Sequence, residues 1–242
     1  MNRRILRIVE VCDITCQGVT EPVVCRAEDD CEYVVKGQHA GRKALVAEWV
    51  ANRLGRLLEL PIPDFALLQL DPQLLKYSAK TKEMERLGNG VLFGSQREMN
   101  VVEIRQADLD RVDETLQARV LAFDWWVANS DRIFMNGGGN PNLLWEEKTQ
   151  RLVVIDHNLA FEPSLMGGFW TEHVFRKARR IWSLSFQNEL KARFQSALEQ
   201  LPAIWDELPE DWLSVTDGLS CASVASLLRR FEPETNQFWN SL

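Results

Sequence analysis

No run of uncharged apolar residues in this 242-residue chain approaches the ~18 that a membrane-spanning helix needs. The opening MNRRILRIVEVCDITC begins basic, but Arg7, Glu10 and Asp13 interrupt its apolar stretch, so no signal peptide is expected. There is no CxxC pair. The five cysteines stand at 12, 16, 25, 31 and 221, and no histidine lies near Cys12 and Cys16 to complete a zinc set. An odd number of cysteines without an export signal predicts reduced thiols in a cytoplasmic protein. Positive charge is also scarce, with 28 Lys and Arg against 35 Asp and Glu and a net charge of −7. Direct nucleic-acid binding and attachment to an anionic membrane are therefore not expected, since both need a concentrated basic face. The one local cluster, Arg176, Lys177, Arg179 and Arg180, reads as a solvated helix face. Internal repeats and low-complexity tracts are absent, and so is a GxGxxG phosphate loop.

What remains has the balance of a globular protein, 45% hydrophobic and 26% charged. Its nine tryptophans are taken first as packing residues. The first forty residues read as strands: Ile5 to Val11, then Pro22 to Ala27 and Glu32 to Lys36 around the acidic turn Glu28-Asp29-Asp30. From Lys43 to Leu58 the apolar spacing becomes helical, and Pro61 and Pro63 end it. Phe65 to Leu70 and Gly90 to Phe93 read as further strands. Beyond about residue 100 the pattern is helical, with Asp108 as a possible cap of a helix reaching about Ala128. An Asn- and Gly-rich loop from 129 to 142 leads into a hairpin, Leu143 to Trp145 and Leu152 to Ile155, and helices follow from about Thr171. The expected fold is α+β in two lobes, a β-rich N-lobe over residues 1–97 and a mainly helical C-lobe over 98–242.

Three segments carry the chemistry: Asn129-Ser130-Asp131-Arg132, Asn140-Pro141-Asn142-Leu143-Leu144, and Val153-Val154-Ile155-Asp156-His157. An acid follows a long helix, an Asn opens the next strand, and a second acid ends the partner strand. Phosphoryl transfer from ATP uses such a set: one carboxylate for the attacking hydroxyl, and an Asn and an Asp to hold Mg²⁺ on the phosphates. Singly, each of these residues is more often a turn former. Asp156 stands out, because a carboxylate ending an apolar strand is costly to bury without a cation or donors. His157 is read as a packing or hydrogen-bonding residue, and Arg132 as orienting Asp131 or binding a phosphate. Upstream, Tyr33-Val34-Val35-Lys36 ends a strand in a Lys and Glu48 stands midway along the next helix, the pairing by which kinases grip the α- and β-phosphates.

The series GVTEP (18–22), EYVVKG (32–37), AEWVANRLGRLLELPIP (47–63), NSDR (129–132), NPNLLW (140–145) and VVIDHNLAF (153–161) resembles the HipA-like kinases, an atypical branch of the protein-kinase-like superfamily related to type II phosphatidylinositol 4-kinases. The resemblance implies a two-lobed protein-kinase-like fold and a serine/threonine kinase using ATP and Mg²⁺. It implies Asp131 as catalytic base, Asn142 and Asp156 as metal ligands, and Lys36 on the ATP phosphates with Glu48 holding it. Gly18 and Thr20 would belong to the loop over the phosphates, and Val91 to Phe93 with Gly94 to Gln96 to the adenine-side hinge. It also implies a protein substrate and, as in toxin-antitoxin systems, an antitoxin-like regulatory partner. A HipA-type toxin carries a further N-terminal region and is longer than this chain. The kinase catalytic loop has its Asn five residues after the Asp, which here is Asn136. Asn142 is preferred because it opens a strand, then Asn140, then Asn136. Asn158 stands where the family of DFG-type elements has Gly, and Asn tolerates a left-handed backbone. Two alternatives stay open: a pseudokinase or nucleotide-binding module, favoured by the altered Gly-rich loop, and a lipid or small-molecule kinase.

Overall fold

The computed structural model describes residues 4–14, 23–71, 73–74, 81–134, 141–214, 219–232 and 237–240. Gly18, Thr20, Asn136 and Asn140 lie outside the described residues. Strands and helices divide into two compact units, one of residues 1–49, 63–99 and 207–217 and the other of 50–62, 100–206 and 218–242. Set beside a single division at 97/98, residues 50–62, 98–99 and 207–217 change sides. Among the described residues no helix is long and apolar enough to cross a membrane, and Cys12, Cys25, Cys31 and Cys221 stand outside any disulfide.

In the first unit, strands β1 (Ile5–Ile14), β2 (Val23–Ala27), β3 (Glu32–Lys36), β4 (Phe65–Leu70) and β5 (Leu92–Gln96) form a closed barrel in the order β1-β2-β3-β5-β4. Neighbours run antiparallel except β1 and β4, whose parallel pairing from Ile5↔Leu67 to Ile8↔Leu70 closes the circuit. Alternating apolar residues fill the interior, and Ile8, Val23, Cys25, Val35, Leu68 and Leu92 are at most 1% exposed. A barrel this small is packed rather than hollow. Gly94 faces Val35 across the β3–β5 pair, and a Cβ on it would stand 2.3 Å from Leu68 Cδ1, so the sheet needs bare backbone there. The strand expected at Gly90 to Phe93 starts later, at Leu92, because Gly88 and Gly90 take positive φ in the preceding turn. Helix α1 (Arg42–Leu57) follows β3, and α2 (Thr81–Leu87) precedes β5; the latter has too few apolar residues to show a period in sequence. The short helix Glu210–Leu213 brings Trp212 into this unit, where its indole N–H donates to the Val91 carbonyl at 2.8 Å.

The second unit is organised around α3 (Glu114–Val127). Its cap is Asp113, which accepts from Leu116 N at 2.9 Å, and not Asp108. Asp108 sits in the preceding turn and bonds Arg105 at 2.6 Å and Arg111 at 3.2 Å, which leaves its carboxylate engaged as an ion-pair partner. Strands β6 (Val102–Glu103), β7 (Leu143–Glu146) and β8 (Arg151–Val154) make an antiparallel sheet in that order. Helix α4 (Leu184–Glu199) packs an aromatic cluster with α3, in which Trp126 stacks on Phe194 at 4.3 Å between centroids.

Helix α3 is buried almost all round, and Asp124 lies fully buried among its apolar residues. A carboxylate there requires compensation. Arg132, also fully buried, supplies it with Nε at 2.7 Å and Nη2 at 3.2 Å from the two carboxylate oxygens. Asn129 Nδ2 adds a bond at 3.0 Å and His173 Nε2 another at 3.0 Å. The His173 Nδ1 accepts from Phe175 N, so its proton is on Nε2 and the neutral ring donates to Asp124. Burial alone would push the Asp124 carboxyl up. The Arg132 charge and the bonds from His173 and Arg132 outweigh it and hold the group well below the usual carboxylate range. Burial keeps His173 below its ordinary 6.5, against the pull of Asp124.

Two outcomes are expected from this cluster. Asp124→Asn leaves the Arg132 guanidinium buried without its counter-charge, and chemical denaturation should show a loss of about 3–5 kcal/mol. For His173, the unfolded chain takes up a proton as pH falls through 6.5 while the folded chain does not, so stability is lost on acidification from that point. Tm measured from pH 7.5 to 5 should fall, and His173→Gln, though lower at pH 7.5, should fall less steeply. An equal slope in both proteins would show that His173 is not the titrating group.

Candidate active site

The C-terminus of α3 turns at Ala128, which is left-handed at φ 52°. Asn129 N bonds the Asp124 carbonyl at 2.8 Å, and the chain then emerges as Ser130-Asp131. Asp131 is partly exposed and accepts a hydrogen bond from Asn142 Nδ2 at 2.8 Å. Asn142 is 3% exposed, directly precedes β7 and is itself left-handed at φ 55°. Its carbonyl accepts from Ile155 N at 3.1 Å, which continues the hairpin ladder one step past Leu143↔Val154. Asp156 follows at φ 57° and turns the chain away from β8. Phe161, at φ 67°, closes the segment by bonding the Val127 carbonyl at 2.7 Å. Asp131, Asn142 and Asp156 are thus gathered by the helix end and the hairpin edge.

Arg132 fastens these turns together from beneath. Its Nη1 donates to the carbonyls of Asn142 at 2.6 Å, Ile155 at 3.2 Å and Pro141 at 3.4 Å. Its Nη2 lies 3.3 Å from His157 Nε2, which must be the acceptor because a guanidinium only donates. The alternative that Arg132 meets a phosphate does not hold, since a fully buried guanidinium engaged on Asp124 and three carbonyls cannot reach a ligand; toward Asp131 it acts through Asn142, whose carbonyl it holds and whose side-chain amide donates to that carboxylate. His157 is buried and meets Phe123 edge-on at 5.6 Å, the packing role expected of it.

Left-handed backbone at non-glycine residues costs about 1–2 kcal/mol each and collects at functional sites. Ala128, Asn142, Asp156 and Phe161 place four such residues around the helix end and the hairpin edge, with Gln150 a fifth in the hairpin turn and Asp30, Glu59 and Asn100 elsewhere. Asn158 is not among them, so its place after Asp-His is not explained by left-handed tolerance. Its backbone N–H reaches Asp156 Oδ1 at 3.4 Å, while its own side-chain Oδ1 is buried with no hydrogen-bond partner among the described residues. An orphaned oxygen two residues from Asp156 suits a hard cation, which takes oxygen ligands. The Asn142–Asp131 bond uses the Asn142 amide nitrogen; the atom a hard cation takes from Asn is the other one, Oδ1. The residue types at Asn142 and Asp156 therefore fit Mg²⁺, and the unpartnered Asn158 Oδ1, which sequence reasoning did not assign, stands two residues from Asp156.

In the first unit, Lys36 ends β3 opposite Phe93, and its Nζ lies 2.5 Å from Glu48 Oε1 on α1. The side chains are 9% and 2% exposed, so neither is the surface residue that an amphipathic strand end or helix would present. Gly37 follows, and a Cβ there would fall 2.2 Å from the Leu87 carbonyl oxygen. The chain must pass α2 as bare backbone immediately after Lys36. Asp124 and His173 had no distinguishing sequence signal, and Arg132 was visible only as the neighbour of Asp131, because a buried polar group looks like a surface one until its neighbours are known.

The family profile of HipA-like kinases matches residues 8–242. No curated protein sequence matches the chain. Among solved structures, the Helicobacter pylori proinflammatory kinase CtkA is similar at 10% identity, with a TM-score of 0.47 and 98% of each chain covered. The open conformation of CtTel1 is similar at 13% identity and a TM-score of 0.33, over 93% of this chain and 11% of that one. Neither likeness decides a fold or an activity, whereas the family match spans almost the whole sequence: this chain belongs to the HipA-like kinase family.

Proposed function

We propose that the chain is an ATP- and Mg²⁺-dependent kinase that phosphorylates serine or threonine hydroxyls of a protein, with the two-lobed protein-kinase-like arrangement that such a reaction uses. The observation that carries the reading is the Asp131–Asn142 hydrogen bond at 2.8 Å, at the mouth of a hairpin that also presents Asp156. Family membership supports the reaction class.

In this reading Asp131 accepts a hydrogen bond from the substrate hydroxyl and takes its proton. The hydroxyl oxygen forms a bond to the γ-phosphorus as the bond to the β–γ bridging oxygen breaks, and ADP leaves with that electron pair. The Asn142 amide N–H on Asp131 holds the carboxylate's orientation throughout. Asn142 and Asp156 would hold Mg²⁺, which when bound would supply charge neutralisation on the phosphates. Lys36 grips the α- and β-phosphates, and Glu48 fixes the direction of its ammonium. Gly18 and Thr20 act in the covering loop. Geometry rather than covalent chemistry is what the protein contributes, which suits a site built on buried bonds.

Phosphotransfer from labelled ATP with Mg²⁺ to a lysate or to the protein itself tests this. Asp131→Ala should lower transfer by about 10²–10⁴-fold while ATP still raises Tm, because the base is absent but the nucleotide is held. With Asp156→Ala, the Mg²⁺-dependent part of the Tm rise from ATP should vanish. Nucleotide binding without transfer in the wild type would instead favour a binding module, and no binding at all would sink the proposal.

A further inference from the structure

Several features lie outside the machinery described so far. The shallow cavity of about 160 Å³ bordered by Arg53, Arg56, Leu57 and Ile204 holds no group that specifies a ligand. The cysteines are scattered. The segment from Trp170 to Trp182 is different, because it concentrates hydrogen-bond donors with no acceptor.

Arg179 places its guanidinium 4.2 Å from the centre of the Trp170 ring. It makes no ion pair or hydrogen bond among the described residues, and its pKa is lowered by burial with no acidic neighbour opposing it. Trp170 meets Trp182 edge-on at 5.8 Å. Both indole Nε1–H groups are buried without a partner, and Trp182 is only 8% exposed. Indole N–H and guanidinium are donors only, and native proteins leave few buried donors unmatched. Around them stand the exposed cations Arg176, Lys177 and Arg180, in a chain whose net charge is −7. Arg176 reaches the His173 carbonyl at 3.4 Å and Arg180 pairs with Glu114 at 2.7 Å; as donors themselves, neither could satisfy the indoles.

We propose that Arg179 with the Nε1–H groups of Trp170 and Trp182 forms an oxyanion subsite that receives a phosphoryl or carboxylate group carried on a segment of another protein. A guanidinium and N–H donors suit an oxyanion because they offer several bonds and full charge without an acceptor to repel it. Nucleic acid fits less well. Four clustered cations neutralise few phosphates, and the aromatic faces are already occupied: Arg179 covers Trp170, which also packs on Trp125 at 4.7 Å and Phe169 at 5.0 Å, leaving no platform for a base.

The indole N–H signals of ¹⁵N-labelled full-length protein report directly on this site, independently of any kinase activity. Trp170→Phe and Trp182→Phe assign the two resonances. Inorganic phosphate, a short phosphoserine peptide and its glutamate and alanine counterparts are then titrated against potassium chloride at matched ionic strength. Both signals should move together and saturate with phosphate and with the phosphoserine or glutamate peptide, but not with the alanine peptide. Arg179→Ala should raise the midpoint about tenfold or more, Arg179→Lys should recover only part of it, and Arg229→Ala, a surface pair elsewhere, should leave it unchanged. Shifts no larger than those of chloride, or an undiminished response in Arg179→Ala, overturn the proposal. Saturation by phosphate with neither acidic peptide binding overturns the assignment to a protein segment.

Discussion

The buried carboxylate of Asp124 is the constraint on which the rest of the second unit depends. A lone charge in the apolar middle of α3 is untenable, so the fold must bring donors to it, and those donors come from both sides of the candidate site. Arg132 arrives from the loop after α3, and His173 arrives from the segment beyond the hairpin. Val174 N also bonds the Arg132 carbonyl at 3.0 Å, so the two arrivals are tied to each other as well. The guanidinium has more donors than one carboxylate can use. Its surplus goes to the carbonyls of Asn142 and Ile155, at the point where the β7–β8 ladder gives out and each strand leaves in a left-handed turn. Buried backbone acceptors must be satisfied somewhere, and here one side chain satisfies them for both strands.

This arrangement explains why some of the molecule was legible in the sequence and some was not. Strands β3 and β4 read to the residue because alternation and flanking turns are local signals. Helix α1 and the β7–β8 hairpin were legible within a residue or two for the same reason. The cap of α3 was misplaced because Asp108 and Asp113 look alike in sequence, and only the ion pairs with Arg105 and Arg111 distinguish them. The parallel closure of β1 on β4 is a long-range pairing without a local signature. The exchange of residues 207–217 into the first unit has the same cause: Trp212 on the Val91 carbonyl is a contact across 121 positions. Within the candidate site, Asp131, Asn142 and Asp156 were visible as motif residues and Arg132 was read beside them, whereas its partner Asp124 was not, because its meaning lies in burial.

Each unit holds its own part of the candidate chemistry in a finished state. The Lys36–Glu48 pair is formed and nearly excluded from water, set by the register of β3 on β5 and by the close passage of Gly37 beside α2. The Asp131–Asn142 pair is likewise formed and rests on Arg132. Side chains held by buried hydrogen bonds need little reordering when a ligand arrives, which is the condition under which positioning contributes most to a reaction barrier.

A packed apolar core in place of Asp124, Arg132 and His173 would be no less stable in principle, since buried ion pairs roughly break even against hydrophobic replacements. What apolar side chains could not do is hold specific carbonyls in a specific direction. Asn142 and Asp156 adopt a left-handed backbone, which their residue types tolerate better than other L-residues do. The directional bonds of one guanidinium to the carbonyls of Asn142 and Ile155 hold both turns from a single point, and they are lost together if that guanidinium is lost. The buried charge is therefore better understood as selecting one geometry for the two turns than as adding to the stability of the unit. The aromatic packing around Trp126 and Phe194 supplies that stability separately.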